Sequence, residues 1–274
     1  MYKNNILNLV LFLVVISLAS IIYFSEEAST ELDRLSALNS ADITSVNIEH
    51  NTNTTAITKQ ADGHWQIMQP VNIAANDFRI NSLLELVNAP VHSRYPADEI
   101  NLANIGLDNP VTTIALDGLS IAFGIVNPAT ELRYLRLGDS IYTIEDAYYP
   151  LLNSHFGTLV SLNLLPKNSR IEKLILVNQT ISRDDNGLWQ SNIDISAERI
   201  NETIAHWQDD QAFGVHSYME REPLGEVFIY LDKQPQPVSF IITDTDPWLI
   251  LARPEIGLEY HLDIEAYDKL IVPQ

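Results

Sequence analysis

Short runs of alternating apolar and polar residues fill most of this chain, interrupted twice by a stretch of helical period. Val46 and Ile48 share one face of a strand opening at Ile43, and its partner begins at residues 57–59 after a polar loop, 51–54. Asp62-Gly63 predicts a type I′ hairpin turn, which needs positive φ at both central residues. The returning strand carries Trp65 and Ile67 on one face and ends at Pro70. Asn76 or Asp77 then caps a helix whose Ile80, Leu83, Leu84 and Val87 form one buried stripe, and Pro90 stops it. Further strands are expected at Ile114 and Leu116, at Ile121, Phe123 and Ile125 on one face, and at 134–137 and 141–144. A short helix over 147–152 closes the series. Period-two alternation predicts sheets wet on one side, hence antiparallel.

The same order then returns. Strands at 171–177 and 180–183 lead through Asn186-Gly187 to a strand headed by Trp189. A helix follows with Ile200, Ile204 and Trp207 in the places of Ile80, Leu84 and Val87, and strands follow at 227–231, 238–242, 248–251 and 260–264. Short identities support the match: Arg-Ile-Asn at 79–81 and 199–201, and Val-His-Ser at 91–93 and 215–217. The repeat is too long for a solenoid module, so it reads as a duplicated domain.

Ahead of both copies, the run 6–24, opened by Ile6 and closed by Phe24, is apolar except for Asn8, Ser17 and Ser20 and carries no charge. At ~1.5 Å per residue it spans roughly 28 Å, close to the ~30 Å hydrocarbon core of a bilayer. A cleaved signal peptide has a shorter apolar run and a small-x-small cleavage site, whereas here bulky Ile21, Ile22, Tyr23 and Phe24 stand at the end. Lys3 precedes the run while Glu26 and Glu27 follow it, which puts the N-terminus in the cytoplasm and the remainder outside. The expectation is an α+β protein: one N-terminal transmembrane helix, then two repeated units of antiparallel sheet with a packed helix. The divisions are an anchor over 1–25, a stalk over 26–41, a first unit over 42–166 and a second over 167–274. Leu32, Leu35 and Leu38 in the stalk suggest a short helix capped by Thr30, its leucines docked back on their own domain rather than on a partner.

Charge narrows the partners. With 16 Lys+Arg against 36 Asp+Glu, the 274-residue chain has a formal net charge of −20. Such a surface repels nucleic acid and anionic headgroups, so the soluble part should stand off the membrane. There is no cysteine, which excludes disulfides, thiolate metal sites and a cysteine nucleophile.

The turn and core motifs resemble a bacterial family of membrane-anchored domains of unknown function, often duplicated. Its marks are Gly63-His64-Trp65, Pro70, the pair Leu83-Leu84, the corner Gly106-Leu107-Asp108-Asn109-Pro110, and the strand-helix finish from Tyr142 to Leu152. The second unit has only Pro223-Leu224-Gly225 in place of that corner. Some members of the family are associated with gliding-motility-type ABC transport systems. The resemblance implies a single-pass inner-membrane protein with periplasmic units, and carries no catalytic residues.

Candidate chemistry is sparse. His92 and His216 fall at equivalent places, yet an inherited strand start explains them better than a ligand pair. Asp184-Asp185-Asn186-Gly187 lacks the alternating ligands and closing glutamate of a calcium loop. Trp65 and Trp189 read as core rather than as sugar platforms. No catalytic, cofactor-binding or metal residue is assigned, and no cofactor is expected. The reading is a non-catalytic, membrane-tethered periplasmic adaptor or accessory subunit of an envelope or ABC-transport-type complex, with a protein partner. The alternatives are a small-ligand or lipid binding module with a pocket between the units, and a glycan hydrolase with two facing carboxylates.

Overall fold

The computed structural model describes residues 11–18, 20 and 32–272. Residues 11–18 are helical with exposed side chains; the rest of the expected anchor, apart from Ser20, lies outside the described residues. Among the described residues, no helix is long and apolar enough to cross a membrane.

The fold is α+β, with two antiparallel sheets. The first holds β1 (Ser45–His50), β2 (Asn53–Lys59), β3 (Trp65–Gln69), β4 (Ile73–Ala74), β5 (Ser93–Pro96), β6 (Thr112–Leu116), β7 (Leu119–Val126), β8 (Leu132–Leu137) and β9 (Ser140–Glu145). The second holds β10 (Ile171–Ile175), β11 (Thr180–Arg183), β12 (Trp189–Ser191), β13 (Gly214–Ser217), β14 (Gly225–Leu231), β15 (Val238–Asp244), β16 (Trp248–Arg253) and β17 (Leu258–Asp263). The spatial orders are β4-β3-β2-β1-β6-β7-β8-β9-β5 and β12-β11-β10-β14-β15-β16-β17-β13. Apart from β4, the second order repeats the first strand for strand. The duplication read from short identities is therefore a duplication of topology.

Helices α1 (Asp77–Leu84) and α3 (Ala197–Asp209) occupy equivalent places, and α2 (Tyr149–Leu152) and α4 (Ala266–Leu270) follow the last strands. Asn76 caps α1 by accepting the Arg79 N–H, and Ser196 does the same for Arg199 in α3. After Leu84 the first helix tightens into a 3₁₀ turn, Glu85–Asn88, which still buries Val87 with Ile80, Leu83 and Leu84.

Both hairpins at the repeated glycines differ from the type I′ expectation. Gly63 and Gly187 have positive φ, but Asp62 and Asn186 do not. Gly63 N–H donates to the Gln60 carbonyl and Gln60 N–H to the His64 carbonyl, and Asp184, Gly187 and Leu188 repeat the arrangement. Each is a three-residue loop, a turn closed by a left-handed glycine. The first loop is also tighter than expected, since β2 begins at Asn53 and Asn51 takes positive φ. Ile125 does not share the face of Ile121 and Phe123. The β7–β8 register shifts after Phe123, and Ile125 turns to solvent.

The expected stalk is in part an element of the fold. Thr30 lies outside the described residues, and residues 32–39 form no helix, only a 3₁₀ turn following at Ser40–Asp42. Leu35 and Ser36 donate to the carbonyls of Ala89 and Val87, and Val91 donates to Asp33, so Leu35 is buried. The second unit is entered the same way, Ala212 N–H donating to Leu162 and Asn163 bridging Gln211. That entry is also the exit of the first unit: Asn76 N–H donates to Leu159, and Ser161 N–H to Ala74. This crossing segment ties the sheets together, and Val160, Leu164 and Leu165 belong to one apolar cluster that spans both.

Candidate functional site: an aromatic and histidine surface on the second sheet

Each edge strand, β5 or β13, pairs with the last strand of its sheet, and the chain must then cross one sheet face to reach the centre. In the first sheet the crossing is residues 97–111. There Ile105 and Leu107 pack on Ile141, with Ala122 and Tyr134 against them, a small apolar core on the outer face. Gly124 lets it come close, since a Cβ there would overlap the Ile105 carbonyl oxygen. In the second sheet the crossing is shorter, residues 218–224, and is held by charge instead.

Alternation along β17 sends Leu258, Tyr260 and Leu262 into the common core and leaves Glu259 and His261 on the outer face. The Glu259 side chain is only 1% exposed. It accepts from Arg221 at 2.8 and 3.3 Å, from the Met219 N–H at 3.0 Å and from His261 Nε2 at 2.8 Å. Burial pushes its pKa up, but the bonds from Arg221, His261 and Met219 outweigh that and hold it below its ordinary value. The same bond to Glu259 raises Arg221. An ionised Glu259 makes His261 Nε2 the protonated ring nitrogen.

His216 faces Glu259 across the β13–β17 pair, and its ring lies 4.5 Å from that of His261. Burial and then the neighbouring His261 lower its pKa. Gly214 makes the room, because a Cβ there would stand 2.6 Å from His216 Nε2. Beyond the histidines, Phe213 and Trp248 meet edge to face at 5.7 Å, each 6.2 Å from the His261 ring. They remain 48% and 46% exposed. The result is an aromatic ledge with a hydrogen-bonded ion pair behind it. Glu259, saturated by donors, is poorly placed to take a proton from a substrate; the surface is suited to recognition.

The sequence reading singled out His216 but not its neighbours. His92, its counterpart, is exposed at the start of β5, its N–H donating to Thr143. Glu259 and His261 passed as the polar half of an alternating strand, and nothing in the sequence said that Arg221 would return to meet them. Of the two repeated tryptophans, Trp65 is 1% exposed whereas Trp189 is only half-buried, with the Arg183 guanidinium 4.2 Å above it. Asp184 accepts from Asn186, Leu188 and Gln190, the bonds of a turn.

The fold defines a duplicated antiparallel α+β protein in which one outer face is sealed and its twin is partly open. The family model described as Domain of unknown function (DUF4340) matches residues 65–214, from Trp65 of the first unit to Gly214 of the second, and the chain belongs to that family. Comparison with curated proteins and with solved structures finds no match.

Proposed function

We propose that the protein is a membrane-tethered, periplasmic accessory subunit of an envelope complex of the ABC-transport type, and that it holds a partner protein on the Phe213–Trp248 ledge. The observation that carries this reading is the ledge itself: two half-exposed aromatic rings fixed on a sheet whose twin face is covered. Rigid aromatics supply large contact area at small entropic cost, and they dominate the energetics of protein interfaces. The uncharged run 6–24 with Lys3 before it supports the tether. The net charge of −20 favours a body held away from anionic lipid, so that the ledge meets protein rather than headgroups.

The test places a photo-crosslinking amino acid at Trp248 or at the exposed hairpin residue Leu188 in the full-length protein in its native membrane. Capture of one membrane-complex subunit from position 248 and not from 188 is the expected result. Equal capture from both positions, or lipid alone at 248, refutes the assignment.

A further inference from the structure

A second feature lies in the first unit. Between the β1–β2 hairpin and the chain after α2 is a recess of about 360 Å³, lined on its apolar side by Ile48, Leu152 and Leu159. That is the space of about a dozen waters, at the small end of the range for ligand sites. Around the apolar floor stand His50, Asn53, Thr55 and His155. Although the chain carries 36 acidic residues, none of the described residues lining the recess is Asp, Glu, Lys or Arg.

Both imidazoles are held by their Nδ1 atoms. His155 Nδ1 accepts the Gly157 N–H at 3.1 Å, which leaves its proton on Nε2, and burial lowers its pKa so that the ring is neutral at neutral pH. His50 Nδ1 lies 2.7 Å from the hydroxyl of buried Thr112, which in turn lies 3.5 Å from the Tyr149 hydroxyl. Each ring is oriented by its Nδ1 bond, and among the described residues neither Nε2 has a hydrogen-bond partner. The twin hollow beside β10 and β11 is lined by Gln179, Asp194 and Ile271 and has neither histidine.

We infer that the recess binds a small uncharged amphiphile: an acyl chain or ring bearing an ester, amide or hydroxyl oxygen. The apolar floor takes the hydrocarbon, and a wall without formal charge leaves a charged head unpaired, which is costly away from water. His155 Nε2–H donates to the oxygen. A free solute and an acyl chain drawn from the bilayer share this chemistry. The inference stands on the recess alone and is independent of the protein-docking reading.

The experiment exposes the full-length protein in native membranes to a diazirine-bearing octanamide and, separately, to a diacylglycerol with a diazirine in its acyl chain. Labelled peptides are then mapped by mass spectrometry. The expected result is octanamide labelling confined to the His50–Thr55 and Leu151–Leu159 stretches and competed by unlabelled octanamide. Labelling there by both probes assigns a bilayer acyl chain, and labelling by octanamide alone assigns a free solute. Asn53→Trp, at an exposed position opposite His50 in the β1–β2 pair and on the face that lines the recess, abolishes the labelling without changing the melting temperature. His155→Ala weakens octanamide competition by about five- to tenfold, the value of one neutral hydrogen bond, and His155→Gln restores part of it. No labelling of these stretches, or labelling that survives Asn53→Trp, overturns the inference.

Discussion

Truncating Trp65 and Trp189 separately tests whether the repeated tryptophans do equal work. Trp65 is 1% exposed, and its indole N–H donates to Asn81 at 3.2 Å. Asn81 is exposed and regains water when the indole goes, so nearly all the loss is burial and cavity. For a fully buried tryptophan that is about 3–5 kcal/mol. Trp189 keeps one side in solvent and carries Arg183 on its face, so Trp189→Ala gives up part of the burial and a cation–π contact of about 0.5–1 kcal/mol. The total expected there is about 1–2 kcal/mol. The assay is urea unfolding of the full-length protein in mild detergent, followed by far-UV circular dichroism, with midpoints compared at constant slope. One cluster of buried residues spans both sheets, so each variant should move a single transition as a whole. Equal losses in the two variants refute the burial argument. Two transitions, with Trp65→Ala moving only one, refute the shared core.

Two further outcomes follow from the crossing segments. Glu259→Gln should cost about 1–3 kcal/mol, less than a fully buried pair because Arg221 is partly exposed. The folded pKa of Glu259 lies below its unfolded value, so its contribution is complete above the unfolded value of about 4.3 and is lost as pH falls through the folded one. The urea midpoints of wild type and Glu259→Gln should therefore converge below about pH 4, and a constant gap from pH 3 to 7 contradicts the ion-pair account. Gly124→Ala should cost about 1–3 kcal/mol by forcing the 97–111 crossing off β7, read as a lowered melting temperature; an unchanged one means the crossing is not in contact there.

What the sequence disclosed and what it withheld separate along the range of the interactions. Strand periodicity, the α1 and α3 stripes and the shared Gly-x-Trp turns are local patterns, and they located the elements and the duplication. The hairpin type failed because Asp-Gly and Asn-Gly suit both a type I′ turn and a three-residue loop, and only Gly63 and Gly187 need positive φ. Leu35 does dock on its own domain as expected, but the helical reading of its stretch failed because its partner stretch, 87–91, is remote in sequence, and so short a pairing leaves no periodic mark. The ledge was illegible for the same reason on a larger scale. Phe213, Trp248 and His261 come from three stretches brought together by the order β16-β17-β13, and an alternating strand looks the same whether its polar face meets water or a buried arginine.

Duplication explains why the open surface lies on only one unit. Two copies of one topology inherit two outer faces and two crossings. The long crossing 97–111 covers the first face with Ile105 and Leu107, a sealed arrangement that serves stability. The short crossing 218–224 cannot cover as much, and an apolar face left half bare would invite indiscriminate association. Here the space beneath the crossing is occupied by Glu259, and Arg221 and His261 satisfy it, so the strand edge is fixed by directional bonds rather than by apolar cover. Phe213 and Trp248 then remain as a limited apolar patch beside that bonded edge. On the proposed reading, a ledge of that kind would discriminate between partners by shape, because any misfit would leave Glu259 and its donors intact and would have to be absorbed by the partner alone.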